Sequence, residues 1–284
     1  MHSPKLVMIE GIPGSGKTSM ARAAADWLGA RGFDARLFLE GNMEHPADFE
    51  SVACLSAGQF AGLRERFPGW RDALDALERT TPDGEVLIRF GKLTDPPADL
   101  QSTLSAHDVY NLPEVDFMRV TLARWREFSA AAAKEDGVYV FECCLLQNQT
   151  TTLMAVHDTP PERMTAHLSA IASAIAPLNP LVIYLEPPSV RAALERVAAE
   201  RPPAWLAFVT AFTCWQAWGA RRAKRGLQGF EGMVAFYEAR RDLEKALFAG
   251  LFPRGLWIEG AGADWDQTST RVNAYLADAF GEVG

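Results

Sequence analysis

Leu6-Val7-Met8-Ile9 is an unbroken apolar run, followed by a glycine-rich turn and then by an alanine-rich stretch over residues 19–28. A short apolar run bounded by a turn reads as a buried strand, and the alanine-rich stretch reads as a helix. The same alternation repeats down the chain. Residues 35–40 read as a second strand after the turn Arg31-Gly32-Phe33-Asp34, residues 137–142 as a third, 180–186 as a fourth and 255–259 as a fifth. Apolar positions at helical spacing predict helices over residues 115–133, 161–176, 189–201, 230–248 and 266–280. Strands alternating with helices predict an α/β fold with a doubly wound, parallel five-stranded sheet and ligand sites at the carboxyl ends of the strands.

Two stretches depart from this rhythm. Residues 43–113 hold short helical pieces, 46–58 and 70–79, broken at Thr81-Pro82-Asp83-Gly84 and Asp95-Pro96-Pro97. They are expected to form a helical insertion after the second strand, within a single domain spanning residues 1–284. Residues 202–220 carry no charge and include Trp205, Phe208, Phe212, Trp215 and Trp218. A membrane span is one reading of such a run. Two leading prolines, Thr210, Thr213, Gln216 and Gly219 weigh against it. What is left is a buried helix, a pocket wall or the interface of a homodimer.

Composition narrows the classes. With 284 residues, 48% of them hydrophobic and 23% charged, the chain can bury a large core beneath a polar surface. A formal net charge of −8 disfavours a nucleic acid polymer as partner, because phosphate backbones are gripped chiefly by Lys and Arg. The cysteines Cys54, Cys143, Cys144 and Cys214 show no spacing for zinc or a secreted disulfide framework, so a reduced, cytoplasmic protein is expected. The N-terminus lacks the succession of an export signal.

The turn after the first strand reads Gly11-Ile12-Pro13-Gly14-Ser15-Gly16-Lys17-Thr18 and fits G-x-x-x-x-G-K-[ST] between a strand and a helix. This arrangement aims several backbone N–H groups into one concavity, and the helix N-terminus adds a field that favours anionic oxygens. The residues expected to hold nucleotide phosphates are Gly11, Pro13, Gly14, Ser15, Gly16, Lys17, Thr18 and Ser19. Lys17 would reach the outer phosphates, and the Thr18 hydroxyl would ligate Mg²⁺. ATP and Mg²⁺ are the expected cofactors, and a glycine-rich turn without nucleotide is the bland alternative.

Acids end the predicted strands. Glu142 follows four apolar residues and is expected to order the water shell of Mg²⁺, or else to cap a loop. Glu40 is the expected base accepting the proton of an attacking hydroxyl, or else a structural carboxylate. Glu186 is expected to cap the following helix. Charge on a transferring phosphoryl group calls for guanidinium donors. Arg196 and Arg201 are the expected lid, with Arg221-Arg222-Lys224-Arg225 as a second; Arg119 and Arg124 are expected to clamp the acceptor. The histidines are read as loop or surface residues, and Gln147-Asn148-Gln149 as a loop that could also bond a base or sugar.

Ile9-Glu10-Gly11 through Thr18, the strand-end Glu40, Arg119 and Arg124, Val138-Tyr139-Val140-Phe141-Glu142, and Tyr184-Leu185-Glu186-Pro187-Pro188 with Arg191, Arg196 and Arg201 together resemble the thymidylate kinase and deoxynucleoside kinase branch of the P-loop kinases. The resemblance implies a five-stranded parallel sheet, an arginine-bearing lid, Mg-ATP as donor, a nucleoside or nucleotide as acceptor, and Glu40 in the place of the general base. It also marks two departures. Cys143-Cys144 follows Glu142 where those families carry arginine, and the second strand lacks the arginine and proline that flank the thymidylate kinase acid. The expected activity is transfer of the ATP γ-phosphoryl group to a small acceptor, with the insertion shaping its site. The alternatives are a non-nucleotide hydroxyl acceptor, such as an antibiotic or other metabolite, and a nucleotide-dependent regulatory ATPase.

Overall fold

The computed structural model describes residues 3–222 and 227–281. Its first forty residues form β1 (Leu6–Gly11), α1 (Lys17–Gly29) and β2 (Ala35–Phe38). Residues 41–124 supply β3 (Ala53–Leu55), α2 (Ala57–Arg66), α3 (Arg71–Leu77), β4 (Glu78–Thr80), β5 (Val86–Ile88), α4 (Ala98–Ala106) and the start of α5 (Glu114–Ala132). The remainder forms β6 (Val138–Glu142), α6 (Leu146–Ala155), α7 (Pro161–Ile175), β7 (Leu181–Glu186), α8 (Val190–Glu200), α9 (Pro203–Trp215), α10 (Ala217–Arg222), α11 (Gly229–Leu251), β8 (Leu256–Glu259) and α12 (Trp265–Phe280). The chain divides into two compact units, residues 1–40 with 125–284, and residues 41–124.

In the larger unit five strands make one parallel sheet in the order β2-β6-β1-β7-β8, with Ile9 of β1 opposite Glu142 on one side and Ile183 on the other. These are the five expected strands, though β2 ends at Phe38 rather than Glu40. Central strands flanked on both faces need apolar side chains in both directions, which explains the unbroken runs in β1 and β7. On one face Val7, Ile9, Val140 and Ile183 meet Ala21, Ala24 and Leu28 of α1 and Val272 and Leu276 of α12. On the other, Phe141 meets Trp125 and Phe128 of α5, and Tyr184 reaches Glu244 of α11. Helices on both faces make the sheet doubly wound. From β1 the chain moves one way along the sheet to β2, and from β7 it moves the other way to β8. The divergence opens a crevice above the carboxyl ends of β1 and β7, the place where such sheets take ligands.

The smaller unit is not purely helical. It contains a three-stranded antiparallel sheet, β3-β5-β4, over which Phe60, Leu63, Leu74, Leu100 and Leu104 close a separate core. Three-residue strands are too short to show an alternating pattern, so this sheet could not be read from periodicity. The breaker Thr81-Pro82-Asp83-Gly84 is its hairpin turn, in which Gly84 N–H donates to the Thr81 carbonyl at 2.9 Å. Residues 46–58 are not a helix either. They contain β3, and α2 starts only at Ala57 behind a capping box made by Ser56 and Gln59.

Residues 202–220 form α9 and most of α10. Among the described residues no helix is long and apolar enough to cross a membrane. The buried-helix reading needs correction: Phe208 is 68% and Trp215 79% exposed, while Thr213 and Cys214 face inward. A helix apolar all round gives no stripe from which to choose its inner face.

Candidate active site

The glycine-rich loop leaves β1 at Gly11 and enters α1 at Lys17. Gly14 and Gly16 have φ of 79° and 90°, a left-handed region that costs other residues energy. Space is as restrictive as conformation at Gly14, where a Cβ would lie 2.6 Å from the Ala193 carbonyl oxygen of α8. The loop can therefore nestle against α8 only with glycine there.

A cavity of about 450 Å³ opens over the loop on the side of the carboxyl ends of the strands. Its lining includes Pro13, Gly14, Ser15, Gly16, Lys17, Thr18 and Ser19 from the loop and α1, Glu40 beyond β2, Glu142 at the end of β6, and Arg196 and Arg201 from α8 and its cap. Trp205 of α9 and Trp265 at the start of α12 also line it. The structure thus gathers Lys17, Thr18, Glu40, Glu142, Arg196 and Arg201 around one space. Gly11 is not in this lining; it is buried, and its carbonyl accepts from Arg240 at 2.9 Å.

Hydrogen bonds define the geometry. The Thr18 hydroxyl donates to Glu142 Oε1 at 2.6 Å, and Glu142 Oε2 accepts the Glu40 N–H at 3.2 Å. One carboxylate therefore joins α1, the end of β6 and the segment after β2. Lys17 is buried, its ammonium donating to the Ile12 carbonyl at 3.0 Å. Arg196 reaches across from α8 to donate to the Gly14 carbonyl at 2.5 Å. The Glu40 side chain is exposed and accepts from Gln147 Nε2 at 3.0 Å.

Behind the loop lies a polar cluster that strand and helix patterns did not reveal. Arg240 of α11, 1% exposed, donates to Gly11 O and to the Thr151 hydroxyl and pairs with Glu244 at 3.3 Å. Glu244 also accepts from Tyr184 at 2.6 Å and Thr150 at 2.5 Å. Glu10, at the end of β1, accepts the N–H groups of Leu145 at 2.9 Å and Gln147 at 3.0 Å. Burial pushes the Glu10 carboxyl up to about 7, with the nearby Glu244 charge adding to the rise and the backbone donors opposing it. Burial likewise drives the Cys143 thiol well above its usual value, helped by Glu40 and opposed by Lys17. The residue after Glu142 is thus a neutral, buried thiol. The available signal for Glu10 was an acid on an otherwise apolar strand; Arg240 and Glu244 had only their i,i+4 spacing.

Other expected residues are engaged elsewhere. In the smaller unit Arg119 pairs with Glu85, Asp83 and Asp116, while Arg124 lines a small cavity with Phe49, Arg79 and Arg89. Glu186 does not cap α8: it pairs with Lys245 and Arg241 and accepts from the Trp257 indole, and Ser189 is the cap. Arg191 pairs with Glu231, and Arg221 and Arg222 both pair with Asp158; Lys224 and Arg225 lie outside the described residues. Gln147, Asn148 and Gln149 belong to α6, not to a loop. His45 and His167 are buried rather than superficial, and burial lowers both to about 4. Comparison of the chain with protein-family models and with curated proteins finds no match.

Proposed function

We propose that the protein is a Mg-ATP-dependent phosphotransferase acting on a small acceptor, with a nucleoside or nucleotide as the leading class. The observation that carries this reading is the meeting of Lys17, Thr18 and Glu142 over a glycine-rich loop at the carboxyl ends of β1 and β6. Loop amides and the start of α1 supply donors for phosphate oxygens. Lys17 needs only to exchange the Ile12 carbonyl for a phosphate.

The residues fit a magnesium ion. Mg²⁺ takes octahedral oxygen ligands and uses few protein groups, keeping waters and substrate phosphates for the rest. The Thr18 hydroxyl donates its proton to Glu142 at 2.6 Å, which leaves its oxygen lone pairs for a cation and sets a carboxylate beside the place where that cation's waters would lie. Among the described residues no group of three or more His, Cys, Asp or Glu side chains could hold a metal by itself. Thr18 would ligate the ion and Glu142 would hold its waters; the ion supplies charge neutralisation of the phosphates when bound.

Arg196 and Arg201 stand over the same cavity and would close on the transferring group, whose charge is spread over three oxygens. Glu40, exposed at the rim and oriented by Gln147, would accept the proton of the attacking hydroxyl. A non-nucleotide acceptor is the second reading. The observation favouring it is Cys143-Cys144, two buried residues where the resembled families use arginine.

The test is Mg-ATP consumption against panels of nucleosides, nucleotides and hydroxylated antibiotics, with products identified by mass spectrometry and Lys17→Ala as blank. A phosphorylated nucleoside or nucleotide supports the leading reading, and a product from the other panel alone replaces its acceptor class. ATP hydrolysis that persists without any product would overturn phosphotransfer in favour of a regulatory ATPase.

A further inference from the structure

Gln147 is the first polar residue of α6, and its groups bond in two directions. Its backbone N–H donates to buried Glu10 at 3.0 Å, and its side-chain amide donates to Glu40 at 3.0 Å. Only the amide nitrogen can serve a carboxylate, so the orientation of the carboxamide is fixed by chemistry. This leaves the amide oxygen buried with no partner among the described residues. Leaving an acceptor orphaned in the interior is unfavourable, but a turn of the amide would set that oxygen against the Glu40 carboxylate, so the donor stays on Glu40.

Glu40 needs such a support. It lies two residues past the end of β2, outside any regular element, with its side chain exposed. An exposed glutamate samples several rotamers, and proton acceptance requires one of them to face the attacking hydroxyl. Gln147 is 7% exposed and anchored on a helix whose neighbours Leu146, Thr150 and Leu153 are buried. Glu10 holds the start of that helix against β1 through two backbone donors, from Leu145 and Gln147. Rigidity thus passes from the central strand through α6 to the rim of the cavity.

We infer that Gln147 is a positioning residue that holds the Glu40 carboxylate in the orientation for accepting the acceptor's proton, with Glu10 anchoring Gln147 from beneath. This rests on the reading of Glu40 as the base. Catalytic groups on irregular segments depend on supporting hydrogen bonds of this kind for their geometry. Because the interaction concerns proton acceptance and not ATP binding, its loss is expected in kcat, leaving KM for ATP in place.

The experiment is a double-mutant cycle on the full chain, using whichever acceptor the product assay yields, with Gln147→Met, Glu40→Gln and the double variant. Gln147→Met keeps the length of the side chain and removes its donor; Gln147→Glu is a second variant of the same size that sets a like charge against Glu40. Expected are a fall of about tenfold in kcat for Gln147→Met, a larger fall for Gln147→Glu, unchanged KM for ATP, and a double variant no slower than Glu40→Gln alone. Full turnover in both Gln147 variants, with Glu40→Gln impaired, overturns the positioning role and leaves the base in place. Equal losses in kcat and ATP affinity also overturn it, because they mark a general structural defect. Full turnover in Glu40→Gln removes the base assignment itself and the positioning role with it.

Discussion

At the scale of single residues, stability and the proposed chemistry turn on side chains whose environments are unusual. Gly14 combines φ of 79° with the near contact to Ala193, so Gly14→Ala should cost about 1–3 kcal/mol in stability and weaken Mg-ATP binding together, read by thermal melting and calorimetry. Glu10 gives a pH signature. Its folded value of about 7 exceeds the ordinary 4.5, so the folded state favours its protonated form. The stability this contributes is full below about pH 4.5 and is lost as pH rises through 7, on the order of 3 kcal/mol. Buried His45 and His167 act with the opposite sign, losing stability as pH falls below 6.5 toward 4. The clean measurement is therefore the difference between the wild type and Glu10→Gln: the wild-type advantage in urea midpoint should shrink between pH 5 and pH 8. A difference that is flat with pH would contradict the assignment. Lys17, Thr18 and Glu142 were legible in the sequence because a motif and a strand end fix their positions. Gln147, Arg240 and Trp265 were not, since their roles depend on which distant segments the fold brings beside them.

Elements were legible in proportion to their length and periodicity. The five parallel strands stood out because apolar runs in a sheet covered on both faces need no alternation, and α5, α7, α11 and α12 carried helical spacing. The strands β3, β4 and β5 were invisible at three residues each, and α9 was visible as a helix without revealing which side faces in. The smaller unit has its own core, so Leu104→Ala should destabilise the protein by about 2–5 kcal/mol, measurable by denaturant melting, even though it touches no residue of the proposed site. In the larger unit α11 is tied to the glycine-rich loop by Arg240. Arg240→Met strands Glu244 among Tyr184, Thr150 and Glu10, and should cost about 3–5 kcal/mol, whereas an exposed pair such as Arg191 with Glu231 should cost less than about 1 kcal/mol.

For the molecule as a whole, the doubly wound sheet explains why one cavity collects residues separated by more than two hundred positions in sequence: Pro13 and Trp265 meet because both follow the carboxyl ends of parallel strands. The alternation of apolar runs with helical spacing along the chain is enough to imply a site at those strand ends. It does not carry the strand order, which depends on connections whose direction leaves no local trace. The central claim is that the cavity over the loop binds a magnesium nucleotide. Calorimetric titration of the full chain with a non-hydrolysable ATP analogue, with and without Mg²⁺, tests it most directly. The predicted result is saturable one-to-one binding that Mg²⁺ strengthens, that Lys17→Ala abolishes, and from which Thr18→Ala removes most of the magnesium effect. Absence of saturable binding by the wild type, or binding indifferent to Lys17, would contradict it.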